Sequence, residues 1–397
     1  MIDCATVIAA PAAAMILADF GADVIKIEKP GDGDILRTLA TISTTPNADS
    51  NWFWQLDGRN KRSIALDLKT DAGLEILHKL VAECDVFITN QPHDQREASG
   101  LTYAALRPLN KKMIYASLTA YGEKGAERNR KGFDQIAYWA RSGMMDLMRE
   151  SGTRPTQGLP GMGDHPTGLA LYAGIVTALL KRSKTGEGSM VQTSLLANGL
   201  WSAAGIAQGV LAGGDMPLYR EFNRFESAMM RPYRTQDSRW LQFNMIRTEG
   251  LLDLLLQALD ALYLLTDSRF ASPELMLENR EVLSNKLQAI VETKTKDEWL
   301  PIFESFNLPV NLVAVVEETL DDAQIRANNM VVTPEDEDVD TRLVINHPIA
   351  ISDVPQVGPK RAPDLAEHRD MILEELGYRE EDIEQLGNKG AFGLEGD

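Results

Sequence analysis

One carboxylate in the sequence stands where a reactive group is often placed. Asp164 lies in GMGDHPTG, residues 161–168, directly ahead of an apolar run that predicts a long helix. A helix dipole favours an ionised carboxylate at its N-terminus, and the neighbouring glycines give a substrate close access, so Asp164 could act as a nucleophile. The alternative is an N-cap that accepts a backbone N–H and contributes about 1 kcal/mol, and spacing alone favours this structural role.

The histidines form no catalytic motif that the sequence reveals. His165 follows Asp164 and invites comparison with a hydrolase nucleophile turn, but the chain contains no GxSxG. The other four histidines are scattered, with no pair at metal-ligand spacing. They are His78, His93, His347 and His368. We therefore expect neither a hydrolase triad nor a metal site.

Basic residues concentrate in the first third of the chain. They are Lys26, Lys29, Arg59, Lys61, Arg62, Lys69 and Lys131. In a protein of net charge −18 such a cluster could bind the phosphates of a ligand, although a solvated charged face is favoured on composition alone. The acidic balance argues against nucleic acid or an anionic membrane surface as partners, because both require clustered Lys and Arg.

The elements that must position these residues alternate between strands and helices. Apolar, β-branched runs predict strands at residues 2–8, 23–28, 63–68, 85–90, 113–122 and 189–195. Helical spacing predicts helices at about 9–20, 72–84, 103–108, 133–148 and 168–182, and another ending near 212. This alternation predicts an α/β fold whose open, mostly parallel sheet is covered on both faces.

The first strand–helix–strand unit does not carry a dinucleotide fingerprint. Glu28 ends the second predicted strand, where a ribose-binding acid would lie. The loop at residues 8–12, however, contains no glycine, and GxGxxG needs glycines for the pyrophosphate to approach the backbone. We therefore expect no nicotinamide or flavin site.

The pattern changes near residue 213, which predicts a second domain. A hairpin is predicted around Gln236 and Asp237, followed by helices at about 248–262, 273–294 and 296–306. We expect a large α/β domain over residues 1–215, a smaller α+β domain over 220–325 and a segment over 326–397 that returns to the first. A helix is predicted within that last segment at about 364–376.

Composition narrows the class of protein. Hydrophobic residues make up 44% and charged residues 25% of the 397, which excludes wholesale disorder. Cys4 and Cys84 lie in apolar runs, as expected for reduced core thiols of a cytoplasmic protein rather than a disulfide framework. No signal peptide is evident, and no apolar window of about 18 residues predicts a transmembrane helix.

Taken in order, several motifs resemble the family III CoA transferases. This family includes formyl-CoA:oxalate, carnitine and 2-hydroxyacyl or aryl-lactate CoA transferases, together with the α-methylacyl-CoA racemases. The matching segments are residues 17–34, 60–73, 85–90, 131–143, 161–188, 233–245 and 293–303. The resemblance implies a Rossmann-like large domain, a smaller domain and an interlocked homodimer closed by residues 326–397. It also implies CoA or acyl-CoA as substrate, with no permanently bound cofactor.

The resemblance also implies site residues. The family's nucleophilic aspartate falls on Asp164, which reverses the preference for a cap. The family's CoA-contacting positions fall on Val7, Ala9, Lys29, Leu66, Lys69, Asn90 and Lys131. Some relatives carry an arginine for CoA where this chain has Ala98, and Arg96 is the expected substitute.

The chain departs from two branches of the family. The racemases carry a histidine base where Phe133 stands here, so racemisation lacks its second base. The formyl-CoA transferases carry a glycine-rich lid where this chain has FESAMM, from Phe225 and Glu226 through Met229 and Met230. Ile8 replaces their polar glutamine, and with Met229 and Met230 it favours an acid that is larger and less charged than oxalate. The GEKGAE and YWARSG segments most resemble the 2-hydroxyacyl and aryl-lactate branch.

The expected activity is transfer of CoA from an acyl-CoA to a free carboxylic acid. In this hypothesis Asp164 forms first a mixed anhydride and then an aspartyl-CoA thioester, with oxyanion donors expected from residues 8–11. Two alternatives remain open from sequence. One is an acyl-CoA racemase or isomerase that uses Asp164 as a base, and the other is a CoA-binding subunit without turnover.

Overall fold

A six-stranded parallel sheet organises the larger part of the chain in the computed structural model. Its strands are β1 (Ile2–Cys4), β2 (Ile25–Glu28), β3 (Arg62–Ala65), β4 (Val86–Thr89), β5 (Ile114–Thr119) and β6 (Ser189–Ser194). They lie in the order β3-β2-β1-β4-β5-β6, and every neighbouring pair is parallel. The predicted α/β fold is therefore confirmed. The order reverses between β1 and β4, where open α/β sheets bind ligands beyond the carboxyl ends of the strands.

The structure describes most of the chain and divides it into two units. The described residues are 1–42, 45–150, 152–222, 227–245 and 250–393. Phe225 and Glu226 of the FESAMM segment lie outside them. Unit 1 comprises Met1–Arg149, Arg154–Gln208 and Gln324–Asp397, and unit 2 comprises Glu150–Thr153 and Gly209–Ala323. The domain boundaries expected from the sequence stay a prediction.

Alternate side chains of the strands fill two separate cores. Ile88 and Ile114 point to one face of the sheet, where they pack with helices near the N-terminus and around residue 170. Phe87 and Tyr115 point to the other face. Because both faces are covered, the strands read as continuous apolar runs rather than alternating ones, which is why they were recognisable in the sequence.

Among the described residues between 9 and 211 there are ten α-helices. They are α1 (Ala9–Asp19), α2 (Leu36–Leu39), α3 (Trp52–Gly58), α4 (Asp71–Glu83), α5 (His93–Ala98), α6 (Tyr103–Leu106), α7 (Met144–Leu147), α8 (Asp164–Thr185), α9 (Leu195–Ser202) and α10 (Ala204–Leu211). The single helix predicted over 133–148 is wrong. A π-helical segment, Gln135–Ala140, ends before α7 because Gly143 has φ of +88° and cannot continue a helix.

Unit 2 has an antiparallel sheet and its own core. The strands β7 (Pro232–Arg234), β8 (Trp240–Phe243) and β9 (Val310–Leu312) lie in that order. The first two form the predicted hairpin. The helices are α11 (Met216–Phe222), α12 (Leu251–Ala258), α13 (Pro273–Glu278), α14 (Arg280–Val291) and α15 (Lys296–Ser305), with 3₁₀ segments at Leu262–Thr266, Ser268–Phe270 and Val316–Leu320. Trp299 and Phe303 stack at the centre of this core.

The last segment of the chain packs on the sheet of unit 1. Its elements are α16 (Ala323–Ala327), β10 (Val331–Val332), β11 (Val344–Ile345), α17 (Arg369–Glu375) and α18 (Glu380–Asn388). Ile372 and Leu373 of α17 are buried in the same core as Phe87 and Tyr115. The predicted helix at 364–376 is thus confirmed, although it begins at Arg369.

Helices α1 and α8 approach each other closely. A Cβ atom at Gly168 of α8 would lie 2.4 Å from the Ala9 carbonyl oxygen and 3.1 Å from Ala12 Cβ. Only glycine permits this approach, because the nearest atom belongs to the backbone and cannot move aside. The contact packs the N-terminal part of α8 directly against the first turn of α1.

Two sequence expectations concern thiols and membranes. Cys4 and Cys84 are buried free thiols, and burial raises the pKa of each to about 12. Within the described part of the chain, no helix combines the length and apolar character needed to cross a bilayer.

Candidate active site

Asp164 is the first residue of α8, on a turn that glycines make possible. Gly161 has φ of +77°, in the left-handed region that favours glycine. A Cβ at Gly163 would lie 2.6 Å from the ring of Tyr138. The helix begins four residues before the predicted start at 168, because Pro166 is tolerated within a first turn.

The Asp164 carboxylate does not cap the helix. Gly163 is the N-cap residue and makes no side-chain hydrogen bond. Among the residues that the structure describes, no group donates a hydrogen bond to the carboxylate of Asp164. The capping role favoured by spacing is therefore wrong. A half-buried acid without a hydrogen-bond donor satisfies no orphan group of the helix, so its placement calls for a role other than capping.

The surroundings raise the pKa of Asp164 to about 7. Burial is the largest cause, repulsion from Asp134 adds to it, and Asp57 contributes in the same direction, while the charge of His165 opposes them. Asp134 is itself buried and accepts the Gly163 N–H at 3.4 Å, and burial raises its pKa as well. The result is a carboxylate that ionises near neutral pH, a property that clusters at functional sites.

His165 and Asp57 form a pair beside Asp164. The Nε2 atom of His165 lies 3.3 Å from Oδ1 of Asp57, whose side chain is fully buried. Burial works against a charged imidazole, but the charge and hydrogen bond of Asp57, together with the charge of Asp164, outweigh it, so the pKa of His165 is raised. No sequence pattern indicates Asp57, because it lies 108 positions from His165.

The loop between β1 and α1 is held in a strained conformation. Val7 has φ of +68°, which is costly for a β-branched residue, by about 1–3 kcal/mol. Its N–H donates to Oδ1 of Asp34 at 3.0 Å. The Thr6 N–H donates to Asn90 Oδ1 at 2.9 Å, and the Asn90 amide donates to the Thr6 carbonyl at 2.7 Å. These bonds fix the loop between two strand ends.

Buried ion pairs lie beneath this loop and correct the interpretation of the basic cluster. Lys26 binds Asp34 at 2.8 Å and also donates to the Ala5 carbonyl. Lys61 binds Asp3 at 2.9 Å. Arg59 is likewise buried against Asp19, and Arg62 pairs with Asp23 and Glu375. Lys26, Lys61 and Arg59 therefore belong neither to a solvated face nor to a free phosphate site, and Arg62 is engaged by two exposed carboxylates. The exposed members of the cluster are Lys29, Lys69 and Lys131.

A cavity of about 1120 Å³ opens at the carboxyl ends of β1, β2, β3 and β4. This volume exceeds the roughly 300–1,000 Å³ typical of drug-sized ligands, so a larger ligand fits. Four of the residues expected to contact CoA line it: Lys29, Leu66, Lys69 and Asn90. Ala98 lines it as well. The cavity occupies the position at which the order of the sheet reverses.

The remaining expected CoA contacts do not line this cavity. Val7 follows the lining residue Thr6, Ala9 begins α1, and Lys131 is exposed on the loop ahead of the π-helical segment. Arg96, which lies on α5, is buried. Its guanidinium binds Glu123 at 2.8 Å and the Ser117 hydroxyl at 3.1 Å. The expectation that Arg96 reaches CoA in place of an arginine at Ala98 is not supported, because the side chain is buried and both terminal nitrogens bond interior groups.

The β1–α1 loop borders both the cavity and the Asp164 turn. Ala5 and Thr6 line the cavity. On the other side, a Cβ at Gly161 would lie 3.3 Å from Ile8 Cδ1. Within the described residues no cluster of three metal-ligating side chains is present. The β1–α1 loop therefore connects a large ligand cavity to a carboxylate that ionises near neutral pH.

Comparisons of sequence identify close relatives. The sequence profile of CoA-transferase family III matches residues 1–369. The chain is 33% identical over 384 residues to (R)-2-hydroxy-4-methylpentanoate CoA-transferase of Clostridioides difficile, covering 96% of each chain. It is 34% identical over 391 residues to cinnamoyl-CoA:phenyllactate CoA-transferase of Clostridium sporogenes, covering 97% of this chain and 94% of that one.

Comparison of structures agrees with the sequence matches. A CAIB/BAIF family protein from Brucella suis superposes with a TM-score of 0.82 at 28% sequence identity. The match covers 94% of this chain and 97% of the other. The similarity therefore extends over both units of the chain.

The raised pKa of Asp164 predicts a pH-dependent cost to stability. The ordinary value is 3.8, so between about pH 4 and pH 7 the native protein holds a proton that the unfolded chain has lost. This group's contribution to stability therefore falls as pH rises through that window. We expect Asp164→Asn to stabilise the protein more at pH 8 than at pH 5, by about 1–2 kcal/mol after allowance for partial exposure.

Chemical denaturation at the two pH values measures this difference. Asp49→Asn, at an exposed acid far along the chain, is the matched control and should give the same change at both. An Asp164→Asn variant with no pH-dependent gain would contradict the electrostatic description of the site.

Proposed function

The chain belongs to CoA-transferase family III, and on that premise we propose that it transfers CoA between an acyl-CoA and a free carboxylic acid through covalent intermediates on Asp164. The observation that supports this proposal most strongly is the Asp164 carboxylate itself. It lies at a helix start, accepts no hydrogen bond from any described residue and has a pKa of about 7. A carboxylate of raised pKa is a better nucleophile than an ordinary one. Its oxygen lone pairs accept no hydrogen bond from the described residues and are therefore available for attack.

The proposed reaction balances without ATP, metal or redox cofactor. The Asp164 carboxylate attacks the thioester carbonyl, the C–S bond breaks, and CoA leaves as a thiolate with a mixed anhydride remaining on Asp164. The thiolate then attacks the aspartyl carbonyl, which releases the donor acid as its carboxylate and leaves an aspartyl-CoA thioester. The acceptor carboxylate runs the two steps in reverse. The overall reaction exchanges one thioester for another, so the energy of the thioester bond is conserved.

Developing oxyanions in these steps need hydrogen-bond donors. We propose the segment 8–11 as their source. Ile8 caps α1 without a side-chain hydrogen bond, so the first-turn N–H groups of Ala9 and Ala10 have no side-chain partner. Such preorganised donors are commonly the largest single contribution to acyl transfer.

We propose that the cavity binds CoA. Leu66 and Asn90 line the walls of the cavity. Lys29 and Lys69 offer exposed ammonium groups to the phosphates of CoA. Lys131 stays in the proposal as an exposed cation ahead of the π-helical segment, with Val7 as a backbone contact on the β1–α1 loop and Ala9 as one at the start of α1. Lys29 pairs with Asp32 at 2.8 Å, so a phosphate would compete with that carboxylate.

We propose a 2-hydroxy or aryl-lactate acid as the substrate. The two relatives named above act on such acids, and this chain covers nearly all of both. Ile8 offers no hydrogen-bonding group beside the Asp164 turn for the second carboxylate of oxalate, although it is 3% exposed and presents little surface. Met229 packs in the core of unit 2 and therefore lends no support to a larger, less charged acid.

The two alternatives receive less support. Phe133 occupies the position of the racemases' second base and is 65% exposed, so proton return from the opposite side has no described partner. A CoA-binding subunit without turnover would not explain a nearly neutral carboxyl pKa.

We propose in addition a homodimer, since Trp201 and Leu211 are about four-fifths exposed on α9 and α10. The interlocked arrangement and the cytoplasmic location stay predictions.

Asp164→Asn separates the proposed nucleophile from a structural aspartate. Because an amide cannot form the anhydride, we expect turnover to fall by several orders of magnitude while the variant folds normally. The measurement is transfer of isotope from labelled free acid into its CoA ester, using phenyllactate with cinnamoyl-CoA as donor and 2-hydroxy-4-methylpentanoate with its own thioester. Retained exchange in the Asn variant would overturn the role of Asp164, and exchange of α-protons without acid exchange would indicate a racemase.

Removing the exposed lysines that are proposed to bind CoA should weaken CoA binding without abolishing catalysis. Each exposed charge pair contributes only about 1 kcal/mol, so Lys69→Ala should raise KM for the acyl-CoA several-fold, with kcat little changed. The triple variant Lys29→Ala, Lys69→Ala and Lys131→Ala should also make KM less sensitive to salt. Lys111→Ala is the control, because Lys111 is exposed at the amino end of β5, the opposite edge of the sheet. A triple variant that matches the parent at every salt concentration would rule out this site.

A further inference from the structure

His165 and Asp57 are an ion pair that none of the steps above employs. Asp57 has no exposed side-chain surface, and Oδ1 meets His165 Nε2 at 3.3 Å. Its other oxygen, Oδ2, is buried and has no hydrogen-bond partner among the described residues. A carboxylate buried in this way is costly unless cations compensate its charge. His165 is one such cation, and the Lys61 ammonium also acts on Asp57.

The contacts of His165 favour its doubly protonated form. The Nε2 atom faces the buried Asp57 carboxylate at 3.3 Å, and the charges of Asp57 and Asp164 both favour the protonated ring. An imidazolium donates to the carboxylate and also compensates its buried charge, whereas a neutral imidazole can only donate.

The charged groups that act on Asp164 come from three elements. Asp134, ahead of the π-helical segment, and Asp57, on α3, repel the ionised carboxylate. His165, on the first turn of α8, attracts it. The balance between these groups decides whether Asp164 is ionised when a thioester arrives.

We propose that Asp57 holds His165 as an imidazolium and that this cation keeps the Asp164 carboxylate ionised for attack. His165 and Asp57 are then positioning residues that act through Asp164 rather than on the substrate. The proposal rests on the proposed function for its catalytic meaning. The charge arrangement itself does not depend on it and can be measured without turnover.

Protonation of Asp164 can be read directly by chemical labelling. A water-soluble diazo reagent esterifies a carboxyl group only in its protonated form, and mass spectrometry of the Asp164 peptide gives labelling against pH. The parent should show a midpoint near 7. Because loss of a nearby opposite charge shifts a carboxyl pKa by about one unit or more, His165→Gln should move the midpoint upward by that amount. His165→Asn is a second variant with the same expectation.

His78→Gln is the matched control. His78 lies on α4, which packs on the face of the sheet opposite α8, so its replacement should leave the midpoint unchanged. A midpoint that does not move in either folded His165 variant would overturn the proposal. So would an equal shift in the His78 control, because it would indicate a general effect on the fold.

A double-mutant cycle tests the part of Asp57. Asp57→Asn removes a negative charge near Asp164, and in the His165→Gln background this alone should lower the midpoint. With His165 present, the same change also releases the imidazolium proton, so the lowering should be cancelled or reversed. An equal lowering in both backgrounds would show that Asp57 does not act through His165.

Turnover gives an independent readout. If Asp164 ionises about one unit higher in His165→Gln, kcat/KM should fall about tenfold at pH 6 and return near the parent value at pH 9. An equal loss at both pH values would contradict the electrostatic role. If the parent transfers no CoA at all, the proposed function fails while the labelling result still stands or falls separately.

Discussion

The close packing of α8 on α1 is the constraint on which the site depends. Gly168 brings the backbone of α8 against the Ala9 carbonyl, and this contact fixes the helix start that carries Asp164. The acid placed there is buried near Asp134 without a donor among the described residues, which the native structure accepts as a cost to stability.

A second constraint comes from charge buried beneath the β1–α1 loop. Lys26 and Asp34 hold this loop from below, and Asp34 also accepts the N–H of the strained Val7. Buried ion pairs are weak evidence for stability, because desolvation offsets most of their attraction. Here their directional hydrogen bonds determine a backbone conformation instead. That conformation places Thr6 at the cavity and Ile8 at the Asp164 turn.

The parts of the fold that the sequence predicts are those set by local patterns. Strands such as β4 and β5 are recognisable because both faces are buried, and α4 because its apolar residues recur at helical spacing. Errors occur where distant contacts decide. The start of α8 reads as a loop because it contains Gly168 and Pro166, yet packing against α1 requires that glycine. The short helix α3, with its two tryptophans, has too few turns to show a period.

The residues of the candidate site show the same difference between what local patterns predict and what distant contacts decide. Asp164 and four of the cavity residues were indicated by the family resemblance. Burial of Lys26 and Lys61 could not be predicted, since a lysine's partner is invisible until the strands are aligned, and Asp3 is 58 residues from Lys61. The same holds for Asp57, whose partner His165 lies on another helix. The engagement of Arg96 with Glu123 shows the reverse error, in which a plausible ligand contact proves to be an interior pair.

The central claim is that Asp164 becomes covalently acylated during transfer, and trapping of the intermediate tests it most directly. The protein is incubated with an acyl-CoA that it turns over, then treated with hydroxylamine, which converts an aspartyl anhydride or thioester to a hydroxamate. Peptide mass spectrometry should find the hydroxamate on Asp164, dependent on acyl-CoA and absent from Asp164→Asn. An Asp164 peptide that stays unmodified while the protein transfers CoA would contradict the account.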